Sequence, residues 1–341
     1  MINLPQNMVT NRHKNFYTIE AKNNFELGLL MGEKFGDFAQ VTIAESKKEG
    51  SWTIKTERAK KYLNVTKQHF PHYIEELQGY AKGANTEFLD VWTVSLEDEV
   101  HQGLTDKCTT IITNNGKLIS HNEDWDKDSE DSVCLLLKKI GDLSLFELYY
   151  FNTLGGNSIS INSHGFALSV NTLVHSDKKL GVPRNVIARW LSETKNPEED
   201  FRKLENMPRS LGFNLNIINK EGKIWNIEYN SVGAVLVKPL APYVHTNHYL
   251  SELKSYEMNN NSGGTFDRYE VANSKVKNQM TVLELIDLTN DKSRGNIISI
   301  MNERTIAKMT VDLNALTAKV WLRREMDKGL VEYDLNRLLG W

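Results

Sequence analysis

Residues 107–126 read K-C-T-T-I-I-T-N-N-G-K-L-I-S-H-N-E-D-W-D, which gathers a thiol, an imidazole and several carboxylates into one short stretch. Cys108 opens a run of apolar and β-branched residues. Asn114, Asn115 and Gly116 follow it, and then comes a second β-rich run. Asn and Gly accept the positive φ of tight hairpin turns, so the spacing predicts a hairpin. Its return strand would carry His121, Asn122, Glu123 and Asp124 back beside Cys108. A thiol at the start of one strand and a carboxylate near the end of its partner could support nucleophilic catalysis. The structural alternative is that Cys108 is a small buried hydrophobe, the usual fate of a lone cysteine in a strand.

The elements that must hold this stretch follow from periodicity. Residues 16–20 suit a short strand. Apolar residues at helical spacing predict helices over 24–47 and 57–80, with Pro71 breaking or restarting the second. A shorter helix is expected over 88–96. The first 105 residues are thus mainly helical, and His101 among them is read as structural. Beyond residue 107 the texture turns to strands, over 133–139, 145–151, 158–161, 166–170, 214–219, 224–229 and 234–237. Helices are expected from Pro183, over 197–204 and over 281–288. Residues 306–312 and 318–322 read as a final hairpin, and 256–264 as the most loop-like segment. This order favours mixed sheets covered by helices, an α+β layered fold.

Composition narrows the function classes. The 341 residues suffice for one large or two ordinary domains. A formal net charge of -3 points to neither nucleic acid nor an anionic membrane as a partner. Two cysteines, Cys108 and Cys134, make no disulfide framework and suit a reducing compartment. Residues 1–23 lack the apolar core of a signal peptide. No apolar run approaches the roughly 20 residues that span a bilayer. A soluble cytoplasmic protein is the expectation. His245 and His248 have H-x-x-H spacing, a weak metal signal without further ligands nearby. Phosphate loops, a G-x-G-x-x-G after a strand, a G-x-S-x-G elbow and papain or caspase signatures are absent from the sequence. No cofactor or metal is expected.

Four short motifs, in one order, carry a family resemblance. Cys108-Thr109-Thr110, the hairpin and His121-Asn122-Glu123-Asp124-Trp125 together resemble the acyl-coenzyme A:6-aminopenicillanate acyltransferases. This family, also called the isopenicillin N acyltransferases, comprises C45-type N-terminal-nucleophile (Ntn) hydrolases. The run from Ile161 to Asn171, I-N-S-H-G-F-A-L-S-V-N, is similar to the family's N-S-x-G-hydrophobic segment. Gly181-Val182-Pro183 with its following helix matches, and so does His245-Thr246-Asn247-His248. The matches cover residues 108–248. The family also includes β-alanyl-amine hydrolases and is more distantly similar to bile-salt hydrolases and acid amidases. The resemblance implies a four-layer αββα Ntn sandwich over 108–341, preceded by a mainly helical pro-segment or small subunit over 1–107.

The resemblance also implies a precursor that cuts its own Lys107–Cys108 bond, leaving Cys108 as a new N-terminus. A free α-amine has a pKa of about 7.7–8.0, so it can serve its own thiol as base near neutral pH. Many relatives have Gly before the cysteine. Lys107 departs from that pattern, and a bulkier residue restricts the strained backbone that an N-to-S acyl shift favours. Carried over residue by residue, Cys108 is the nucleophile and Asp124 orients the α-amine. Asn247 donates to the oxyanion, and Asn171 adds a backbone N–H to the same hole. Arg304 is the expected arginine, with Arg294 competing. The implied activity is cleavage of a C–N amide bond of a small N-acyl substrate through a thioester, with the cleaved fragments staying associated. The alternatives are transfer from acyl-CoA, a non-enzymatic binding module on the same fold, and a Cys-His protease of another fold.

Overall fold

The computed structural model describes residues 12–100, 107–258 and 264–341. His101, residues 1–11 and the 259–263 part of the expected loop lie outside the described residues. Strand β1 (Phe16–Ala21) leads into α1 (Asn24–Lys48), α2 (Trp52–His69), α3 (Pro71–Gly83), α4 (Phe88–Ser95) and the one-turn α5 (Glu97–Val100). Asn23 caps α1 by accepting the Glu26 N–H. Pro71 starts a helix instead of kinking one, because the first helical position has no bond for its missing N–H to lose.

β2 (Lys107–Thr113) and β3 (Leu118–Asp124) form the expected hairpin. Its turn holds Asn114, Asn115 and Gly116 at φ of 54°, 53° and 81°. Next come β4 (Val133–Ile140), β5 (Leu143–Tyr150), β6 (Ile159–Asn162) and β7 (Phe166–Leu173), then α6 (Arg184–Ser192) and α7 (Pro197–Asn206). β8 (Gly212–Asn219), β9 (Ile224–Tyr229), β10 (Ala234–Val237) and β11 (Tyr243–His245) precede α8 (Thr265–Lys275), α9 (Val282–Thr289) and the short α10 (Gly295–Ile298). β12 (Thr305–Asp312), β13 (Thr317–Leu322), β14 (Val331–Asp334) and α11 (Leu335–Leu339) close the chain. Helix α8 follows the loop-like run, at residues to which no element is assigned from the sequence. One expectation is corrected here. The β12–β13 hairpin is not final, because β14 pairs with β13.

Two sheets face each other. One has the strand order β1-β4-β5-β6-β7-β8-β9-β10 and the other β11-β2-β3-β12-β13-β14. Ile112, Ile119, Leu135, Phe146, Ile161 and Met309 belong to the core between them. The outer face of the larger sheet packs on α1, α3, α4 and α6 through Leu27, Met31, Tyr80, Trp92, Leu136 and Ile187. The outer face of the smaller sheet packs on α8 and α9 through Ile111, Leu118, Val271 and Leu285. The fold is therefore α+β in four layers, αββα, as expected. Residues 1–107 also supply β1, which pairs parallel with β4.

Strand periodicity decides what the inter-sheet space contains, because alternate side chains face opposite sides of a sheet. Cys108, Thr110 and Ile112 share one face of β2, and Ile119, His121 and Glu123 share the matching face of β3. At the turn end this space is apolar. At the Cys108 end Thr110, His121 and Glu123 meet Ser169, Asn171 and Asn216 from the larger sheet, all of them buried. Buried polar groups persist only when hydrogen-bonded, so this end must form a network.

Candidate active site

Cys108 pairs with Glu123 across the hairpin. Its Sγ lies 3.6 Å from Glu123 Oε1. The carboxylate also accepts the Tyr150 hydroxyl at 2.9 Å, His121 Nε2 at 3.0 Å and the Ser158 hydroxyl. His121 Nδ1 is 2.9 Å from Thr110 Oγ1, and Thr110 donates to Asn171 Oδ1 at 3.0 Å. Cys108, His121 and Glu123 each bring one potential metal-ligand atom within 4.8 Å of the others. The donors around Glu123 already fill its oxygens, so a proton network suits this cluster better than a cation does.

The Cys108 backbone is held as firmly as its thiol. Its N–H donates to Asn247 Oδ1 at 2.7 Å. Arg268, fully buried on α8, donates to the Cys108 carbonyl at 2.6 Å, to Thr109 Oγ1 at 2.8 Å and to Asn247 Oδ1 at 2.9 Å. Two donors on Oδ1 fix the Asn247 amide so that Nδ2 points away, to the Thr172 carbonyl at 3.1 Å. His245 and His248 do not pair as metal ligands. His245 Nε2 meets Glu228 at 2.8 Å, and His248 Nδ1 meets Thr265 Oγ1 at 3.0 Å. These bonds pin the loop that presents Asn247.

A cavity of about 380 Å³ opens onto the thiol, lined by Cys108, Glu123, Trp125, Asp126, Tyr150 and Phe213 among others. Asp124 is not among its lining residues. Asp124 points to the outer, helix-covered face of the smaller sheet, where Asn302 Nδ2 donates to it at 2.8 Å. Burial pushes its carboxyl up to about 6, against the pull of Arg268 and of hydrogen bonds from Thr305 and Asn302. The Cys108 nitrogen thus bonds Asn247, and Asp124 lies on the other face of the sheet with the Arg268 guanidinium as its nearby countercharge. Asn171 also lies off the cavity. Its side chain accepts from Thr110 and, at 3.0 Å, from Asn216, while its neighbours Val170 and Thr172 line the space. Arg304 reaches the cavity rim through Asp126, at 2.9 Å, whereas Arg294 pairs with the exposed Glu270.

Glu123, His121, Asp126 and Arg268 therefore join the site without having been assigned roles from the sequence. Strand alternation could have found the first two, since the hairpin register sets Glu123, not Asp124, on the face of the thiol. For Arg268, 160 residues from its carbonyl partner, no local pattern exists.

Fold and site together define a four-layer αββα protein built around a buried thiol at the head of a strand. The chain belongs to the acyl-coenzyme A:6-aminopenicillanic acid acyl-transferase family, whose model matches residues 111–326, beginning just past Cys108. A beta-alanyl-dopamine/carcinine hydrolase of Drosophila melanogaster is 28% identical over 212 residues, 53% of this chain and 55% of the relative. An acyl-coenzyme A:6-aminopenicillanic-acid-acyltransferase (40 kDa form) of Emericella nidulans is 28% identical over 199 residues, 54% of each chain. The chain thus spans about half the length of the curated relatives it matches. Among solved structures, a variant of conjugated bile acid hydrolase from Clostridium perfringens aligns with a TM-score of 0.44 and 11% identity, covering 68% of this chain and 94% of that one. Penicillin V acylase from Agrobacterium tumefaciens aligns with a TM-score of 0.41 and 12% identity, covering 64% and 83%. Both structural likenesses are distant.

Proposed function

We propose that this chain is a self-processing cysteine Ntn hydrolase that cleaves the C–N amide bond of a small N-acyl substrate. Cleavage of Lys107–Cys108 frees the Cys108 α-amine, which then takes the thiol proton. The thiolate attacks the substrate carbonyl, the amine leaves, and water resolves the thioester. The observation that carries this reading is the Cys108 nitrogen, 2.7 Å from Asn247 Oδ1, on a residue whose thiol lines the cavity. Oδ1 would steady the α-amine after the cut. Nδ2 would exchange the neutral Thr172 carbonyl for the charged oxyanion, which is the stronger acceptor. Asp126 and Arg304 form the ion pair at the rim. Asp124 acts through Arg268 on Asn247, and Asn171 through Thr110.

Phe38, Trp125, Tyr150, Phe151 and Phe213 give the cavity an aromatic wall that suits a small acyl group with an apolar part. A second reading is transfer to an amine from acyl-CoA, the activity in the name of the Emericella nidulans relative. Two buried thiols fit a reducing compartment such as the cytoplasm. Intact-mass measurement of purified protein tests the proposal. Wild type should resolve under denaturing conditions into 1–107 and 108–341 and should hydrolyse members of an amide panel. Cys108→Ala should remain whole and inert. A wild-type chain that stays whole while turning over amides would show that the base is not the α-amine.

A further inference from the structure

Self-processing, on the reading above, poses a problem that turnover does not. Before the cut the Cys108 nitrogen is an amide, held by Asn247 Oδ1, and an amide nitrogen has no basicity to offer the thiol. The α-amine that serves the mature enzyme does not yet exist. The first deprotonation of Cys108 needs another acceptor, in reach of Sγ, on the inter-sheet side. Asp124 faces the other side of the sheet and is engaged by Asn302. Asp126 is tied to Arg304 at the rim.

We infer that Glu123 is the general base of self-processing, with His121 behind it as the positioning residue that stabilises its protonated form. Glu123 Oε1 stands 3.6 Å from Sγ, and Tyr150 and Ser158 hold the carboxylate in place. One arrangement of protons satisfies the network, with the Ser169 hydroxyl donating to Thr110 across 2.9 Å. Thr110 gives its single hydroxyl hydrogen to Asn171 Oδ1, an oxygen that also receives Asn216 Nδ2. His121 Nδ1 must then donate to Thr110, and one further proton is shared across the 3.0 Å contact between Nε2 and Glu123 Oε2. When the thiol proton arrives at Oε1, that shared proton settles on Nε2. The thiolate then faces a Glu-His dyad carrying one net positive charge, the compensation a buried anion needs. The thiolate attacks the Lys107 carbonyl carbon, and the C–N bond to Cys108 breaks. The departing nitrogen takes back the proton from Glu123 and becomes a neutral amine. The product is a Lys107 thioester on Sγ, which water cleaves to the Lys107 carboxylate and the thiol.

The test follows cleavage of the full-length chain after cell-free synthesis, by intact mass over time. A positioned base contributes about 10²–10⁴ in rate, so Glu123→Gln should cut at least about a hundredfold more slowly than wild type. Glu123→Ala leaves space beside Sγ, and added formate should restore its cleavage in proportion to concentration. Cys108→Ala should not respond to formate. If Glu123→Gln fails to fold, Glu123→Asp keeps the charge one methylene further from Sγ and should also slow cleavage. His121→Asn should slow cleavage without becoming responsive to formate. Wild-type rates in Glu123→Gln or, failing that, in Glu123→Asp would overturn the assignment. So would a folded, slow Glu123→Ala that formate does not rescue. A wild-type chain that never cleaves would instead overturn the self-processing reading itself.

Discussion

Asn247 carries opposite tasks on its two amide atoms, and a single truncation removes both. With a catalytic chain made to begin at Cys108 and co-expressed with residues 1–107, the cleavage step is bypassed and only turnover is read. Asn247→Ala should then lower kcat by about 10²–10³ with little change in KM, the loss typical of one oxyanion donor. Unchanged kcat would remove Asn247 from the mechanism. Asp124 makes a different kind of prediction, because its carboxyl titrates at about 6 in the fold against an ordinary 3.8. Between those values the folded chain holds a proton that the unfolded chain has lost, so this group's contribution to stability falls as pH rises through the window and is level above it. Asn at this position does not titrate. The stability of Asp124→Asn relative to wild type should therefore shift in the variant's favour by up to about 3 kcal/mol between pH 4 and pH 7. Urea denaturation at the two pH values measures this, and a pH-independent gap would mean that Asp124 is not held in the raised state.

Helices α1 and α3 meet along a seam of glycines. A Cβ on Gly28 would stand 1.7 Å from the Glu76 carbonyl oxygen, and one on Gly32 2.1 Å from that of Tyr80. Gly79 answers from the other side, 2.0 Å from the Phe25 carbonyl oxygen. In an exposed helix Gly→Ala gains about 1 kcal/mol. Here the added methyl strikes backbone on a second helix, and neither helix can yield without disturbing the core they share. Gly32→Ala should destabilise the protein by about 1–3 kcal/mol in a thermal or urea melt, and an equal or raised melting temperature would show that the helices separate easily. The seam bears on function too, since Phe38 and Thr42, further along α1, line the cavity. Repacking α1 should therefore alter substrate preference as well as stability.

The prospective cut divides a molecule whose parts share one core. β1 pairs with β4 from Phe16↔Leu135 to Ala21↔Ile140. Tyr80 on α3 donates to Asn152 at 3.1 Å, Tyr73 donates to Glu193 at 3.0 Å, and Arg189 on α6 meets Glu76 at 3.5 Å. Removing the N-terminal part would expose the outer face of the larger sheet. Fragments 1–107 and 108–341 should accordingly co-elute in native gel filtration and separate only in denaturant. A free N-terminal fragment under native conditions would count against a shared core.

What the sequence determined by itself is what is local. The Asn-Asn-Gly turn, the β-rich runs between turn residues that make β4 to β9 strands, the helical spacing of α1 and the restart at Pro71 each depend on residues a few positions apart. The motif around Cys108 belongs to this class, because a hairpin carries its own register. That register also encoded the facing of Glu123 and Asp124, through the two-residue period of the strand. Tertiary structure alone decided the rest. Asn247 reaches the Cys108 nitrogen across 139 positions, and Asp126 meets Arg304 across 178. β1 leaves the helical segment to join the larger sheet beside β4. Such pairings leave no periodic trace in the chain. They arise because two sheets that bury their apolar ends against each other must also bury the polar ends of the same strands, and only side chains from distant segments can complete the hydrogen bonds there.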